Sequence, residues 1–359
     1  VSRLEGVRFD FSVRRQTACL RSPDGRPVER GIEIRTHPLT GRTCRIALSR
    51  SREREPGTER LPDPPPEAGG DVACPFCPER LEGATPLLAE AIAPEGRLRT
   101  GVSVLFPNLY PYGPYSAVSL LGEAHFVEIG TAAPSVYRDG FVNSARYLRR
   151  VLAHDPQAVH LAVTQNHLPS AGGSLLHPHL QVQADTAPSN HHRFFLAAAA
   201  RHRRRGGGAL FDDYLAAERA HGDRIIGATG PWRWLAAFAP EGFYEIWGIL
   251  PGRFSLLSLT EGEWEALARG VVRVQRFYRS LNRNGYNLGL LGTEGPGAAP
   301  GLRVVLTVRS NHAPWVRNDR TGFEVMLGET ATFEPPEAVA AAARPFWADQ
   351  GRGCAGAPV

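Results

Sequence analysis

Short apolar runs of strand length recur along this chain, separated by two longer stretches with helical periodicity. VSVLF (102–106), AVSLL (117–121) and VHLAVTQ (159–165) read as strands. Between the last two, YRDGFVNSARYLRRVLAH places Phe141, Ala145, Leu148, Val151 and Leu152 at helical spacing, which predicts a helix crossing between strands. WRWLAAFAP and FYEIWGILP then read as paired strands. In TEGEWEALARGVVRVQRFYRSLNR, Thr260 with Glu263 three residues on forms a capping-box pattern. Its apolar positions Trp264, Leu267, Val271, Val274, Tyr278 and Leu281 make one helical stripe, a core face rather than a cofactor box. LRVVLTVR and GFEVML read as further strands, and an Ala-rich helix runs from about residue 336. Strands grouped around few helices, given twice, predict an α+β protein with an internal duplication.

The bulk properties narrow the function only slightly. At 359 residues the chain is long for one unit, so two similar-sized domains are expected. No apolar run reaches the roughly 18–20 residues that span a bilayer. VSRLEGVRFDFSVRR alternates charge with apolar residues and has no hydrophobic signal core, so a cytoplasmic location and no membrane partner are expected. Five cysteines, an odd number, argue against a disulfide framework. The net charge of +5 suits an anionic substrate as well as nucleic acid. The densest basic cluster, RHRRRGGG (201–208), lacks interleaved aromatics and abuts three glycines. It reads as a solvated helix end entering a loop, and no nucleic-acid partner is expected. EREPGTERLPDPPPEAGG (53–70) reads as an exposed connection.

Two motifs carry candidate chemistry. In SAGGSLLHPHLQVQA (170–184), His177, His179 and Gln181 alternate and would share one face of a strand. Pro178 lacks a backbone donor, which favours an edge or the start of that strand. Taken alone, the pattern is that of a surface strand with Pro178, Leu180 and Val182 inward. The second motif is CPFC, with Cys74 and Cys77. Such a pair is half of a zinc site or a redox couple. It follows a Pro-rich loop and precedes another proline, as a metal knuckle does; zinc would need two further ligands.

An ordered set of motifs then gains meaning together. The turn HPLTG (37–41) precedes an arginine-bearing strand end, SRSRER, followed by CPFC, LFPNLYPY (105–112), His125, QNHLPSAGGSLLHPHLQV and VRNDRTGFEVML. In this order they resemble the galactose-1-phosphate uridylyltransferase branch of the histidine-triad superfamily, which also contains nucleoside-diphosphate-sugar phosphorylases. The resemblance spans roughly residues 30–345 and is strongest at 165–183. It implies a duplicated histidine-triad-like α+β fold with helices packed on antiparallel sheets. Residues 1–190 would carry the metal site and nucleophile, and 191–359 the acceptor-binding segment.

By that resemblance His179 is the nucleophile. It would attack the α-phosphorus of a nucleotide sugar, release a sugar 1-phosphate and pass the held nucleotidyl group to a second phosphate-bearing acceptor. Gln181 and Ser174 match residues that hydrogen-bond the phosphoryl oxygens. Gly172 and Gly173 match positions where backbone nears the phosphates, and Asn166 an asparagine of the same site. Asn108 and Tyr110 fall where the family contacts the nucleoside, and Arg50, or Arg52 or Arg54, where an arginine faces the phosphates. His177 matches a zinc ligand, with Cys74, Cys77 and His125 completing one closed, structural site per chain.

Departures from the family pattern are also informative. The family's second metal site uses a glutamate and three histidines; here 186–211 has no acidic residue before Asp212, and Arg233, Thr307 and Arg309 stand near the histidine positions. A second metal site is therefore expected to be absent. In the acceptor segment Phe323 and Glu324 fit, but Asn318 and Asp319 replace a lysine and a phenylalanine. A unit charge at ~4 Å is worth about 4 kcal/mol at an effective dielectric near 20, enough to change the acceptor. Because that segment reaches a partner subunit in relatives, a homodimer is implied. The leading expectation is a nucleotidyltransferase acting on a sugar 1-phosphate, with a nucleotide-sugar phosphorylase or hydrolase as variants. From another class, a zinc-stabilised nucleotide-binding module without turnover remains; it would have no need of an aligned nucleophile.

Overall fold

The protein is described by a computed structural model over residues 8–48, 60–69, 73–295, 299–313 and 319–348. Three strands, β1 (Val13–Arg21), β2 (Pro27–Thr36) and β3 (Thr43–Ala47), pair antiparallel at the start. The polar alternation of this region conceals them, and the apolar runs named above do not include them.

The main sheet has ten strands. The first half of the chain supplies β4 (Leu98–Thr100), β5 (Ser103–Pro107), β6 (Tyr115–Leu120), β7 (His160–His167) and β8 (His179–Asp185). The second half supplies β9 (Ile225–Thr229), β10 (Trp232–Ala236), β11 (Phe243–Leu250), β12 (Tyr286–Thr293) and β13 (Leu302–Val308). Their spatial order is β4-β5-β6-β8-β7-β12-β13-β11-β10-β9, every neighbour antiparallel. From the central β7–β12 seam outward, both halves follow one plan, with the fifth strand inside the third. The expected duplication is therefore present in the topology.

Each half also places one long helix between its third and fourth strands. These follow a short α1 (Pro78–Ala84) and are α2 (Pro134–His154) and, after α3 (Asn190–Arg204) and α4 (Leu210–His221), α5 (Glu261–Ser280). Phe141, Leu148 and Val151 of α2 and Trp264, Leu267 and Val271 of α5 are buried in one core with Val163, Leu180, Val182, Val304 and Leu306. The rings of Phe141 and Trp264 stack 6.0 Å apart where the two helices meet. The predicted capping box at Thr260 and Glu263 is formed. On the opposite face, α3 and α4 cover the second half, packing Phe195, Phe211 and Tyr214 on Leu235, Trp247 and Ile249. The corresponding face of β7 and β8 is more open, most of its residues being half-buried where those of the helix side are buried.

The segment GFEVML is a correction. It forms helix α6 (Gly322–Leu327), not a strand, because Thr321 and Glu324 close a capping box around its first turn. It leads into β14 (Thr330–Thr332), parallel to β3, and then α7 (Pro336–Ala343) and α8 (Pro345–Ala348). Arg35 of β2 forms paired contacts of 2.9 Å with Glu337 of α7, tying the small sheet to the second half. RHRRRGGG runs from the end of α3 into a glycine loop, as its composition suggested. Among the described residues no helix is long and apolar enough to cross a membrane.

Candidate functional site

The strand beginning at His179 sits between β6 and β7, and Pro178 lies immediately before it. Leu180, Val182 and Ala184 point into the helix-side core, so His179, Gln181 and Gln183 occupy the opposite face. His179 is buried, and its Nδ1 lies 2.8 Å from the His177 carbonyl. That carbonyl accepts the Nδ1 proton, which leaves Nε2 with a free lone pair. Burial holds the imidazole below its ordinary value of 6.5, partly offset by that hydrogen bond, so the ring is neutral at pH 7.

His177 thus contributes its backbone to one function and its ring to another. Cys74, Cys77, His125 and His177 bring their ligand atoms to within 4.8 Å of one another. Cys77 Sγ is 3.4 Å from His125 Nδ1 and 3.8 Å from His177 Nδ1. The His177 Nε2 proton is directed to the Gly122 carbonyl at 3.0 Å, which presents Nδ1 unprotonated to the cluster. The Phe76 amide donates to Cys74 Sγ at 3.4 Å. A soft, four-membered set with an oriented imidazole fits a closed zinc-type site. Without a cation, burial and the neighbouring Cys74 push the Cys77 thiol up to about 11; a bound dication reverses that preference.

The same knuckle reaches His179. Phe76, inside CPFC, sets its ring edge-on to His177 at 6.1 Å and His179 at 5.4 Å. Its position between the two cysteines was the only sequence signal for this contact.

Asn166, at the end of β7, accepts from Asn287 Nδ2 at 2.7 Å. Asn287 also donates to the Ala171 carbonyl and accepts from Arg309 Nη1 at 2.7 Å. A polar chain therefore joins both the glycine turn and Asn166, through Asn287, to Arg309. In that turn Gly172 takes φ +92°, and a Cβ at Gly173 would lie 3.0 Å from the Asn166 carbonyl. Both glycine amides bond to carbonyls within the turn, at 2.9 and 3.1 Å. Glycine here keeps the turn tight, and neither amide is spare. Ser174 is exposed beside it.

The chain superposes on an ADP-glucose phosphorylase from Arabidopsis thaliana with bound ADP-glucose, with TM-score 0.68, 18% identity, and 87% and 98% of the two chains covered. A GALT-like protein from Arabidopsis thaliana gives 0.66 at 18% identity, covering 87% and 98%. A uridylyltransferase gives 0.64 at 19% identity, covering 87% and 97%. The fold is that of the uridylyltransferase-like proteins. A protein of Archaeoglobus fulgidus described only as uncharacterized is 29% identical over 328 residues, 90% of this chain and 95% of that protein. No family model matches the chain.

Within this uridylyltransferase-like fold the remaining expected residues are scattered. Asn108 and Tyr110 share a turn, the Tyr110 amide donating to Asn108 Oδ1 at 3.1 Å, and the Tyr110 ring is exposed. Phe323 lies under the Arg45 guanidinium at 5.9 Å. Glu324 is taken up by the Thr321 cap, its carboxylate accepting from the Thr321 amide at 2.7 Å. Arg50, Arg52, Arg54 and Asn318 lie outside the described residues. Asp319 is not a bare charge: Arg309 grips it bidentately and the Ser310 amide donates to it at 2.8 Å. The repulsion expected of it is offset by that pairing. Near the family's second metal positions, Thr307 donates to the Phe243 carbonyl and Arg233 to the Gly230 carbonyl.

Asn287 and Arg309 complete the polar chain, and neither was singled out for this role from sequence. Asn287 sits in an unremarkable strand, and only its register opposite Asn166 reveals it. On the helix side, behind Pro178 and His167, lies an apolar cavity of about 360 Å³; it does not adjoin the His179–Gln181 face.

Proposed function

We propose that the protein transfers a nucleoside monophosphate between a nucleoside diphosphate sugar and a phosphate-bearing acceptor, with His179 as the covalent carrier. The observation that carries this reading is the 2.8 Å contact between His179 Nδ1 and the His177 carbonyl. It supports a neutral imidazole whose Nε2 is free to attack phosphorus. As Nε2–P forms, the bond from that phosphorus to the bridging oxygen breaks, and the electron pair leaves with the sugar 1-phosphate. The acceptor phosphate oxygen then attacks the same phosphorus and returns the imidazole to its neutral state.

Gln181, Ser174 and Asn166 are proposed to hold the phosphoryl oxygens, and Gly172 and Gly173 to keep the turn clear of them. Asn108, Tyr110 and Arg50 are proposed contacts of the nucleotide, and Asn318, Phe323 and Glu324 of the acceptor. Zinc, held by Cys74, Cys77, His125 and His177, would anchor the strand start that orients His179. The likeness in fold to an ADP-glucose phosphorylase and a uridylyltransferase supports the same class of reaction.

One observation favours inorganic phosphate as the acceptor. Asp319 and Glu324 of the acceptor segment are bound to Arg309 and Thr321, which leaves fewer groups to hold a hexose. Exposed Val325, Met326 and Leu327 on α6 support a homodimer built through this segment.

The test is intact mass measured under non-acidic conditions after mixing with a panel of nucleoside diphosphate sugars. A nucleotidyl adduct absent from His179→Ala is expected. Discharge by phosphate rather than sugar 1-phosphate identifies a phosphorylase. No adduct with any donor would favour a binding module.

A further inference from the structure

Arg303, on β13, is a buried cation whose nearest acids, Glu245 and Glu241, act on it through space. It is 7% exposed, and among the described residues no carboxylate lies within 4.0 Å of it. Its guanidinium carbon sits 3.9 Å from the Phe195 ring centre and 4.0 Å from that of Trp247, with Phe211 at 5.4 Å. Aromatic rings therefore cover its faces, where cation–π attraction repays part of the desolvation. Its edge, which carries the N–H donors, makes one hydrogen-bond contact, to His191 Nε2 at 3.4 Å. A guanidinium has five donors and cannot lose its charge by neutralising. Burial lowers it only to about 10, so it stays cationic at pH 7.

Two imidazoles and two acids surround it. His37 and His191 are held down to about 3 and about 4, by burial first and by Arg303 next. The charges of the two acids favour the guanidinium cation, but their direct contacts are to other groups. Glu245 accepts from the Trp247 indole and from the Glu241 amide, and Glu241 faces His191 and Arg42 at 3.4 Å.

Arg303 also lines a cavity of about 280 Å³ beneath the start of α3, near the lower end of small-ligand pockets. Phe195, Phe211, Leu291 and Val305 wall it, and Ser189, His191 and His192 bring the first turn of α3 to it. Its far wall is Thr164 and Gly289. In the sheet, Gln181, Thr164, Gly289 and Val305 form one register row, so the cavity continues the face that carries Gln181.

We propose that this cavity is a binding site for a small oxyanion, a phosphate or carboxylate group, held end-on by the Arg303 guanidinium edge beneath α3. The planar fork suits two oxygens of one such group, and the helix start favours negative charge. The site lies three strands across from His179, and its occupancy does not depend on nucleotidyl transfer.

Gly289 offers a clean test. Nothing lies within 4 Å of a Cβ built there, and the residue is in an ordinary strand, so Gly289→Ile fills the cavity while leaving Arg303 and its aromatic cage intact. The full chain is titrated by calorimetry with inorganic phosphate, glucose 1-phosphate and acetate in separate arms. His179→Ala, Gly289→Ile and Arg303→Met are run alongside, each checked by thermal unfolding. Saturable one-to-one binding of at least one probe is expected in the wild type and in His179→Ala, with affinity at least tenfold weaker in folded Gly289→Ile. The arm that binds tells free phosphate from an esterified phosphate or a carboxylate. Absence of saturable binding in the wild type, or undiminished binding in Gly289→Ile, overturns the proposal. Arg303→Met, if folded, must lose binding as well. Loss of the adduct at His179 with retained anion binding would sink only the transfer reading.

Discussion

Arg309 holds Asp319 through two parallel hydrogen bonds, 2.9 Å from Nε and 2.7 Å from Nη2. The sequence resemblance put Arg309 near an expected metal position and Asp319 in the proposed acceptor segment. Their pairing neutralises the Asp319 charge at that place. Arg309 also donates to Asn287, so the pair fixes the far end of the chain that begins at Asn166.

Asp319→Asn is expected to cost about 1.5–3 kcal/mol in denaturant unfolding, the range of hydrogen bonds to charged groups. Burial alone would raise the Asp319 carboxyl, but the bonds from Arg309 and Ser310 outweigh it and lower it below 3.8. Its contribution is thus complete above pH 3.8 and is lost as pH falls through the lower folded value. An unchanged midpoint in the variant at pH 7 would refute the coupling.

Glu337 should give a sharper acid signature. Burial opposes ionisation, yet Arg35 and Arg224 hold the carboxyl down to about 2 from 4.5. Stability from these pairs is complete above pH 4.5 and fades toward pH 2. In Glu337→Gln, the unfolding free energy between those limits should fall less steeply with acid than in the wild type.

The rate of adduct formation should follow the neutral form of His179. Burial depresses its titration below 6.5, so single-turnover rates should be flat at pH 7 and above and drop only on the acid side of 6.5. His179→Ala should lose about four orders of magnitude or more in turnover. A rate that rises steadily from pH 7 to 9 would point to a different base.

Metal content and the placement of His179 should fail together. One zinc per chain is expected, and Cys74→Ser should release it and lower the melting temperature by about 5 °C or more. Because His177 supplies both a ligand atom and the carbonyl that holds His179, adduct formation should fall in the same variant. A full zinc complement in Cys74→Ser would dismantle the assignment.

Met326, 81% exposed on α6, is the place to break the proposed dimer. Light scattering should report a dimer for the wild type and a monomer for Met326→Glu. A monomeric wild type at micromolar concentration would remove the partner-subunit role of this segment.

The helices α2 and α5 were legible because their apolar stripes repeat at helical spacing and both bury those stripes in one core. β10 and β11 were legible for a similar reason: their long apolar runs are buried. β1 and β2 escaped because a half-covered sheet shows few apolar residues, and arginines and glutamates fill its strands. GFEVML misled because three apolar residues in succession look extended, while the Thr321–Glu324 cap that bends them into a helix is a weaker local signal.

The chain alone determined the order of its chemical motifs. His177, Pro178 and His179 are adjacent by covalent connection, so alternation across a strand and the break at Pro178 follow from local stereochemistry. CPFC likewise carries two thiols at ligand spacing. What only the tertiary structure decided were the meetings across the sheet: His125 with Cys77, Asn166 with Asn287, Arg309 with Asp319, and Arg303 with its three rings. Those depend on strand order and register, which are settled by burying two helical faces against a common sheet. No local pattern encodes which strand becomes the neighbour of which.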